Sequence, residues 1–274
     1  MKPFKLGFIT DEYSQDLDEV VKFALEVGAE HLEIRSIWGK NVKDLTDEEL
    51  RVIRRVVSQN GLQIDCLASP LFKEPIETYE VHMKMLDRLC DIAQMLDAKC
   101  IRCFAFVGPT DRYEEMKSEI AYKLRAAAEV ADESGLKLVL ENEPICIVTT
   151  GRQQGDLIRI VGHKALLATW DPGNAYVSGV ERPYPDDYIY VRGLVGHMHV
   201  KDASKEDGKP RIVKVGAGNI DYRGQFRALY EDGYRGTISL ETHYRHPTGG
   251  RMEATRESFL ALKSIVREAL GLEE

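Results

Sequence analysis

Four strand-like segments of this 274-residue chain end in side chains that can bind a metal ion. The side chains are those of Glu141, of Asp171, of the neighbouring His197 and His199, and of Glu241. Carboxylate oxygens combined with one imidazole nitrogen suit a single divalent cation. Because the four segments are far apart in the sequence, neither one helix nor one loop can bring them together. The pattern therefore predicts a fold that repeats one unit and directs the same end of each strand to a common point.

Strand-like and helix-like segments alternate along the chain. Between the first two strands, apolar residues follow the i, i+3, i+4, i+7 spacing of a helix that packs on a sheet. The expected strands are Lys5–Thr10, His31–Arg35, Leu62–Ala68, Cys100–Phe106, Lys137–Glu141, Leu166–Trp170, Gly196–Lys201 and Thr237–Glu241. The expected helices are Leu17–Val27, Asp47–Asn60, Ile76–Leu96, Tyr113–Ser134, Gln154–Val161, Pro185–Arg192, Ile220–Glu231 and Met252–Leu270.

The number and order of these units predict the fold class. Eight βα units without a long polar linker favour an α/β fold, a single (β/α)8 TIM barrel, as one domain over residues 1–274. The alternative is an open, doubly wound sheet, in which a glycine-rich turn follows the first strand. The corresponding segment here, Thr10–Ser14, contains no glycine, and we therefore predict the barrel.

The composition limits the partners and the compartment that we expect. A net charge of −8 and a pI of about 5.5 argue against a nucleic-acid-binding protein, because binding to phosphates requires a basic surface. The chain contains neither the apolar core of a signal peptide nor a run of about 20 apolar residues. Its five cysteines are scattered, as buried free thiols are. We expect a cytoplasmic protein that binds neither nucleic acid nor membranes; a homo-oligomer is compatible with these features.

In a TIM barrel the reactive groups lie where the strands end and the βα loops begin. All four candidate ligand positions fall there, on the fifth to eighth strands. His197 and His199 are two residues apart on one strand and therefore face the same side. One of them is sufficient as a ligand, and we expect the other to hydrogen-bond the substrate or a neighbouring ligand.

Further polar residues follow these strand ends and are candidates for substrate binding. Lys201 continues the face of the two histidines toward the mouth of the barrel, and Glu143 lies two residues beyond Glu141. Asn174 ends the segment Asp171-Pro-Gly-Asn174, in which proline and glycine favour a tight turn that directs the amide back to the site.

Three more candidates lie at the end of the second strand, just after it and within the fourth strand. Arg35 can bind a carboxylate or phosphate, and Trp38 can pack on the apolar face of a sugar. An ion pair between Arg35 and Glu33 inside the barrel is an equally good interpretation. Arg102 lies within the fourth strand, where a charged side chain needs a partner, so we expect it to form an ion pair in the barrel or to contact the substrate.

Several motifs together resemble those of the sugar phosphate isomerase/epimerase family, which belongs to the xylose isomerase-like TIM-barrel superfamily. The resemblance covers essentially the whole chain. The motifs are Ile9-Thr-Asp-Glu12, Leu32-Glu-Ile-Arg35 with Ser36-Ile-Trp-Gly-Lys-Asn41, Leu140-Glu-Asn-Glu143, Asp171-Pro-Gly-Asn174, His197-Met-His-Val-Lys-Asp202 and Leu240-Glu-Thr242.

The resemblance implies one divalent metal ion, with Mn²⁺ expected first and Mg²⁺, Co²⁺ or Zn²⁺ as alternatives. Its ligands would be Glu141, Asp171, His199 and Glu241, since the histidine directly before Val-Lys-Asp matches the ligand. In the ketose 3-epimerase branch the two metal-bound glutamates also transfer the proton. The resemblance therefore implies that Glu141 and Glu241 are catalytic and that a sugar reacts through an enediolate.

Three positions differ from the epimerase branch, which has a glutamate at the position of Ile147, a histidine at that of Asn174 and an arginine at that of Lys205. These differences affect the expected substrate contacts and leave the metal ligands unchanged. Asn174 also replaces one histidine of the zinc-dependent DNA-repair endonucleases of the superfamily, which argues against that function.

The sequence thus predicts a metal-dependent isomerase or epimerase of a ketose or related keto-sugar. An alternative that uses the same site is a lyase or dehydratase that acts on a keto-sugar or keto acid, because an enolate can expel a β-leaving group. A third hypothesis is a non-catalytic sugar-binding subunit.

Overall fold

Eight parallel strands form a closed barrel in the computed structural model, which describes residues 3–272. Each strand pairs with the next one in sequence, and pairing of the last strand with the first closes the barrel. The prediction of a (β/α)8 TIM barrel is confirmed. The strands are β1 (Lys5–Ile9), β2 (His31–Ile34), β3 (Gln63–Leu71), β4 (Cys100–Cys103), β5 (Lys137–Glu141), β6 (Leu166–Trp170), β7 (Val195–Val200) and β8 (Thr237–Leu240).

Helices follow the strands and pack on the outside of the barrel, where a large apolar core lies between the two layers. None of the helices in residues 3–272 has the length and hydropathy needed to cross a bilayer. The helices are α1 (Leu17–Val27), α2 (Asp47–Gln59), α3 (Tyr79–Leu96), α4 (Tyr113–Glu133), α5 (Gly151–Val161), α6 (Pro172–Val177), α7 (Tyr188–Val191), α8 (Tyr222–Glu231) and α9 (Gly250–Leu270).

The region after β6 differs from the prediction. The expected helix Pro185–Arg192 is α-helical only in α7; the residues before it belong to a π-helical turn, Pro183–Asp187, in which Tyr184 precedes a proline and has an extended backbone (φ −109°, ψ 133°). The expected tight turn at Asp171-Pro-Gly-Asn174 is instead the first turn of α6. Asp171 is its N-cap, and its carboxylate accepts a hydrogen bond from the backbone N–H of Asn174. An N-cap aspartate followed by proline is a helix start signal that the turn prediction overlooked.

Two antiparallel hairpins follow β2 and β7 and were not predicted. The first pairs Ser36–Ile37 with Lys40–Asn41, and the second pairs Asp202–Glu206 with Lys209–Val213. The second turns at an Asp-Gly pair, a strong sequence signal for a two-residue hairpin turn. Both hairpins extend from strands whose ends lie near the candidate site.

The ends of β5 and β6 are held together by a buried side chain of α5. Nε2 of Gln154 donates hydrogen bonds to the carbonyl oxygen of Leu140 at 2.6 Å and to that of Thr169 at 2.8 Å. The helix itself starts with a capping box between Thr150 and Gln153. This arrangement fixes the relative positions of the two strand ends that carry Glu141 and Asp171.

The barrel interior contains polar residues. His31, Glu33, His197 and His199 are fully buried, and Glu33 contacts both His197 and His199. Room for the His31 ring depends on Gly7, because a side chain on Gly7 would lie 2.6 Å from that ring. The five cysteines are free and buried, as the sequence indicated.

Burial lowers the pKa of His31 from 6.5 to about 4, with the charge of His197 acting in the same direction. Between these values the unfolded chain binds a proton that the folded protein does not. Stability is therefore lost as the pH falls from 6.5 toward 4. We predict that from pH 7 to pH 5 the protein loses about 2 kcal/mol more unfolding free energy than the His31→Asn variant. Urea unfolding at the two pH values measures this, and parallel pH dependence of the two proteins would contradict the pKa assignment.

Candidate metal centre

The structure brings the predicted ligand set together. Glu141 is the last residue of β5, Asp171 and Glu241 directly follow β6 and β8, and His199 lies near the end of β7. Each contributes one ligand atom to a group in which all atoms lie within 4.8 Å of one another. All four side chains are buried. Four strands that are distant in sequence therefore converge on one point, as the spacing predicted.

Two oxygen atoms of this cluster are buried and accept no hydrogen bond of good geometry from residues 3–272, although each forms an ion pair, one with Arg102 at 3.2 Å and the other with Lys201 at 3.1 Å. They are Oε2 of Glu141 and Oδ2 of Asp171. An ion pair without hydrogen-bond geometry satisfies a buried carboxylate oxygen only in part, so each of these oxygens still has lone pairs without a hydrogen-bond donor. A hard divalent cation bound by three carboxylates and one imidazole would use these lone pairs. The residues present therefore fit a divalent metal ion.

The charge of the surrounding network also favours a divalent cation at this position. Six carboxylates form one connected set with three permanently charged cations and with His199, whose pKa, despite burial, Glu33 and Glu141 raise well above its usual value; even with His199 protonated, negative charge is in excess in this buried site. A divalent ion would offset most of this excess. The carboxylates are those of Asp11, Glu12, Glu33, Glu141, Asp171 and Glu241, and the cations are Arg35, Arg102 and Lys201.

Neighbouring charges decide the ionisation of the ligand carboxylates. Burial opposes ionisation of Glu141, but the charges of His199 and Arg102 outweigh it and lower its pKa to about 2. Burial likewise opposes ionisation of Glu241, whose pKa is held well below its usual value by Lys201 and the surrounding basic groups. For Asp171 burial prevails over Lys201 and raises the pKa. Both glutamates are therefore carboxylates at neutral pH.

His199 presents one ring nitrogen to the ligand cluster and the other to a carboxylate. Its Nδ1 lies 3.2 Å from Oε1 of Glu141 and 3.7 Å from Oε2 of Glu241. Its Nε2 lies 3.1 Å from Oε2 of Glu33. A carboxylate on the far nitrogen of a ligand histidine fixes its tautomer and orientation. Glu33 has this position, which the sequence did not predict; the only partner considered for Glu33 was Arg35.

His197 lies deeper in the barrel than His199. Its Nε2 is 2.9 Å from Oε2 of Glu33, and its Nδ1 is 2.8 Å from Oγ1 of Thr237, the first residue of β8. It is fully buried. Of the two roles considered for the second histidine, this geometry favours support of a ligand through Glu33 over contact with a substrate.

Lys201 and Asn174 are bound directly to the candidate ligands. Nζ of Lys201 lies 3.1 Å from Oδ2 of Asp171, is ion-paired with Glu241 and donates to Oδ1 of Asn174 at 3.1 Å. Nδ2 of Asn174 donates to Oε1 of Glu141 at 3.0 Å. Both side chains are therefore part of the buried network.

Arg102 lies between the two glutamates. Its Nη1 is 3.2 Å from Oε2 of Glu141 and 3.8 Å from Oε1 of Glu241, while Nη2 donates to the carbonyl oxygen of Ala68 at 3.1 Å. Of the two expectations for this residue, the ion pair within the barrel is present, and contact with a substrate stays a prediction. Arg102 keeps both glutamates close to one fixed positive charge.

Arg35 does not form the considered ion pair with Glu33. It pairs instead with Asp11, with Glu12 and, through Nη1 at 3.0 Å, with Oε1 of Glu241. The side chain is directed to the end of β8, beyond the reach of Glu33 deeper in the barrel.

The two remaining candidates lie outside the ligand cluster. Glu143 is half-buried and accepts a hydrogen bond from Nζ of Lys73 at 2.7 Å. Trp38 is 39% exposed in the turn of the first hairpin. Their proposed contact with a substrate stays a prediction.

The fold and the cluster define a TIM-barrel protein with a candidate divalent-metal centre at the carboxyl ends of its strands. The chain belongs to the xylose isomerase-like TIM barrel family, whose model matches residues 21–265. Among curated proteins it is 28% identical over 154 residues to an uncharacterised protein of Methanocaldococcus jannaschii. That match covers 55% of this chain and 52% of the relative, so the chain spans about half the length of the curated protein it matches.

Solved structures share the whole fold at low sequence identity. The IOLI protein with a bound zinc atom has a TM-score of 0.80 at 19% identity, covering 97% of this chain and 99% of that one. The probable 3-DHS dehydratase AsbF from Bacillus anthracis has a TM-score of 0.78 at 19% identity, with coverages of 95% and 99%. The 3-keto-D-glucoside 4-epimerase YcjR from E. coli has a TM-score of 0.75 at 18% identity, with coverages of 95% and 99%. These similarities show the fold.

The different positions of the two histidines lead to a prediction about metal binding. After loading with Mn²⁺ and dialysis, the His199→Ala variant should retain little metal because it lacks a ligand. His197→Ala and Glu33→Gln should bind Mn²⁺ about 10–100-fold more weakly than the unchanged protein, since they lose only the groups that orient His199. Elemental analysis and calorimetry measure content and affinity. Stronger metal loss in His197→Ala than in His199→Ala would reverse the assigned roles.

Proposed function

We propose that this protein is a divalent-metal-dependent isomerase or epimerase that acts on a ketose or related keto-sugar. The observation that carries the proposal is the convergence of Glu141 and Glu241 on one buried cluster with Asp171 and His199. A divalent ion held by these four residues, Mn²⁺ first among the candidates, would act as a Lewis acid that stabilises negative charge developing on substrate oxygens.

The two glutamates provide the proton transfer. They come from β5 and β8, which are separated by two strands around the barrel, so they approach the cluster from different sides. Their lowered pKa values keep them ionised, and each can therefore accept a proton from a substrate carbon. Removal by one carboxylate and return by the same or the other, through an enediolate, gives isomerisation or epimerisation.

Other residues of the network would bind the substrate oxygens. Arg102, Lys201 and Asn174 place hydrogen-bond donors beside the glutamates, and Arg35 adds a guanidinium at the end of β8. A small polyhydroxylated molecule with a carbonyl group matches these donors. The proposed partner is a small sugar. We do not propose nucleic acid or a membrane as a ligand. The proposed location is the cytoplasm.

Lys201 also supports a second candidate function, β-elimination by a lyase or dehydratase. Its ammonium group is ion-paired with Glu241, so a proton donor lies beside a proton acceptor. Glu241 would take the proton from carbon, the bond to a β-hydroxyl would break, and the departing hydroxide would leave as water with a proton from Lys201. The fold similarity to a probable 3-DHS dehydratase is in keeping with this alternative.

Incubation of Mn²⁺-loaded protein with candidate ketoses in deuterated water distinguishes these reactions. We expect NMR to show solvent deuterium on the sugar carbon that loses and regains its proton. Release of water with formation of an unsaturated product would instead indicate elimination. A protein that holds metal stoichiometrically and exchanges no sugar proton would favour a sugar-binding role.

Replacement of one glutamate tests its part in the reaction. The Glu241→Gln variant should lose at least about 10²-fold of the exchange rate, because an amide cannot accept the proton. Glu133→Gln, at an exposed position at the end of α4, serves as the control and should retain full activity. Metal content is measured in parallel. Near-normal exchange in a metal-loaded Glu241→Gln protein would remove this residue from the mechanism.

A further inference from the structure

A buried ammonium group lies among the candidate metal ligands. The side chain of Lys201 is only 2% exposed, and its Nζ contacts Asp171 at 3.1 Å, Glu241 at ion-pair distance and Asn174 at 3.1 Å. Two of these three partners are carboxylates that the metal ion would bind. Lys201 and a divalent cation therefore depend on the same oxygen atoms.

The two cations cannot share these oxygens without a large electrostatic cost. Like charges a few ångströms apart in a buried site repel strongly, because little water is present to screen them. Asp171 and Glu241 can fully stabilise the ammonium group or the metal ion, but not both at the same time. Binding of one therefore weakens binding of the other.

Arg35 and Arg102 also contact Glu241 but have other anchors. Arg35 is paired with Asp11, and Arg102 donates to the backbone oxygen of Ala68. Lys201 has no such anchor for its ammonium group: each of its described partners belongs to the ligand cluster or to Asn174, which contacts that cluster. Lys201 is thus the cation of this network whose position would change when a metal ion binds.

The backbone and the first part of the side chain of Lys201 are held in place, so that its outer part can move. The backbone N–H donates to the hydroxyl of Tyr222 at 3.2 Å, and that hydroxyl donates to the Lys201 carbonyl oxygen at 2.7 Å. The lysine stem passes over Gly173, where a Cβ would overlap Cγ of Lys201. A flexible four-carbon stem can redirect its ammonium group without a backbone change.

We propose that Lys201 is an internal counter-ion that takes the place of the metal ion in the metal-free protein. It holds Asp171 and Glu241 together until a divalent cation displaces its ammonium group from them. The displaced group stays hydrogen-bonded to Asn174 and becomes a donor for a substrate oxygen. Metal binding thereby also completes the substrate site. This inference rests on the metal centre of the proposed function.

Removal of the charge from Lys201 tests the proposal, with Mn²⁺ as the probe. Lys201→Met keeps the length of the side chain and should bind Mn²⁺ at least tenfold more tightly than the unchanged protein by calorimetry. In the metal-free state the same variant should have a lower Tm, because Asp171 and Glu241 lose their counter-ion. Saturation with Mn²⁺ should remove most of that difference.

Lys73→Met is the matched control. Its ammonium group is ion-paired with Glu143 at 2.7 Å and contacts none of the four candidate ligands. The Lys73→Met variant should not show the combination expected for Lys201→Met, which is tighter Mn²⁺ binding together with a lower Tm in the metal-free state. If metal-free Lys201→Met does not fold, Lys201→Gln and chelator competition against Mn²⁺-loaded Lys201→Met give the affinity instead.

The outcomes separate this inference from the proposed function. An Mn²⁺ affinity of Lys201→Met equal to or weaker than that of the unchanged protein would overturn the counter-ion role. The expected affinity gain in a protein that turns over no sugar would support the counter-ion while contradicting the proposed activity. If neither the unchanged protein nor Lys201→Met binds Mn²⁺, both the metal centre and this inference are overturned.

Discussion

Mutual repulsion among the buried carboxylates at the ends of β5, β6 and β8 is the constraint on which the site depends. Three such groups in a site with almost no solvent require positive charge at short distance. The barrel supplies it from several directions, since Arg35 follows β2, Arg102 lies in β4 and Lys201 follows β7. The excess of carboxylates that these cations leave is the physical basis for a divalent ion at this position.

The two catalytic candidates are not equivalent in this charge field. Glu241 is contacted by Arg35 and Lys201 and lies 3.8 Å from Arg102, whereas Glu141 is contacted by Arg102, His199 and Asn174. Both keep a low pKa and therefore start as proton acceptors. Glu241 additionally has Lys201 beside it, a proton donor that metal binding would direct to a substrate oxygen. This asymmetry links the proposed epimerisation to the alternative elimination, because the same pair can take a proton and also assist a leaving group.

The sequence was sufficient for Glu141, Asp171 and Glu241, because each ends an apolar strand and parallel strands in a barrel bring their ends together. The residues alone did not decide between the two histidines, because His197 and His199 share one face; strand direction places His199 nearer the mouth but does not give the depth of the cluster, and the resemblance selected His199. Glu33 was missed as the partner of both histidines, since contacts across a barrel depend on the depth at which side chains from different strands meet. No periodicity within a single strand contains that information.

The three positions that differ from the epimerase branch relate differently to the buried charge network. Ile147 is buried in the loop after β5, and Lys205 pairs with Glu181 on the exposed second hairpin. Neither residue enters the charge network, so both can change without altering its balance. Asn174 is different, because it contacts Glu141 and Lys201 and so connects a candidate metal ligand to the buried ammonium group. Under the proposed function, sequence changes in the loops can therefore alter the sugar while the buried charges keep the same chemistry, and this explains why the candidate metal centre is recognisable from the sequence before the substrate is.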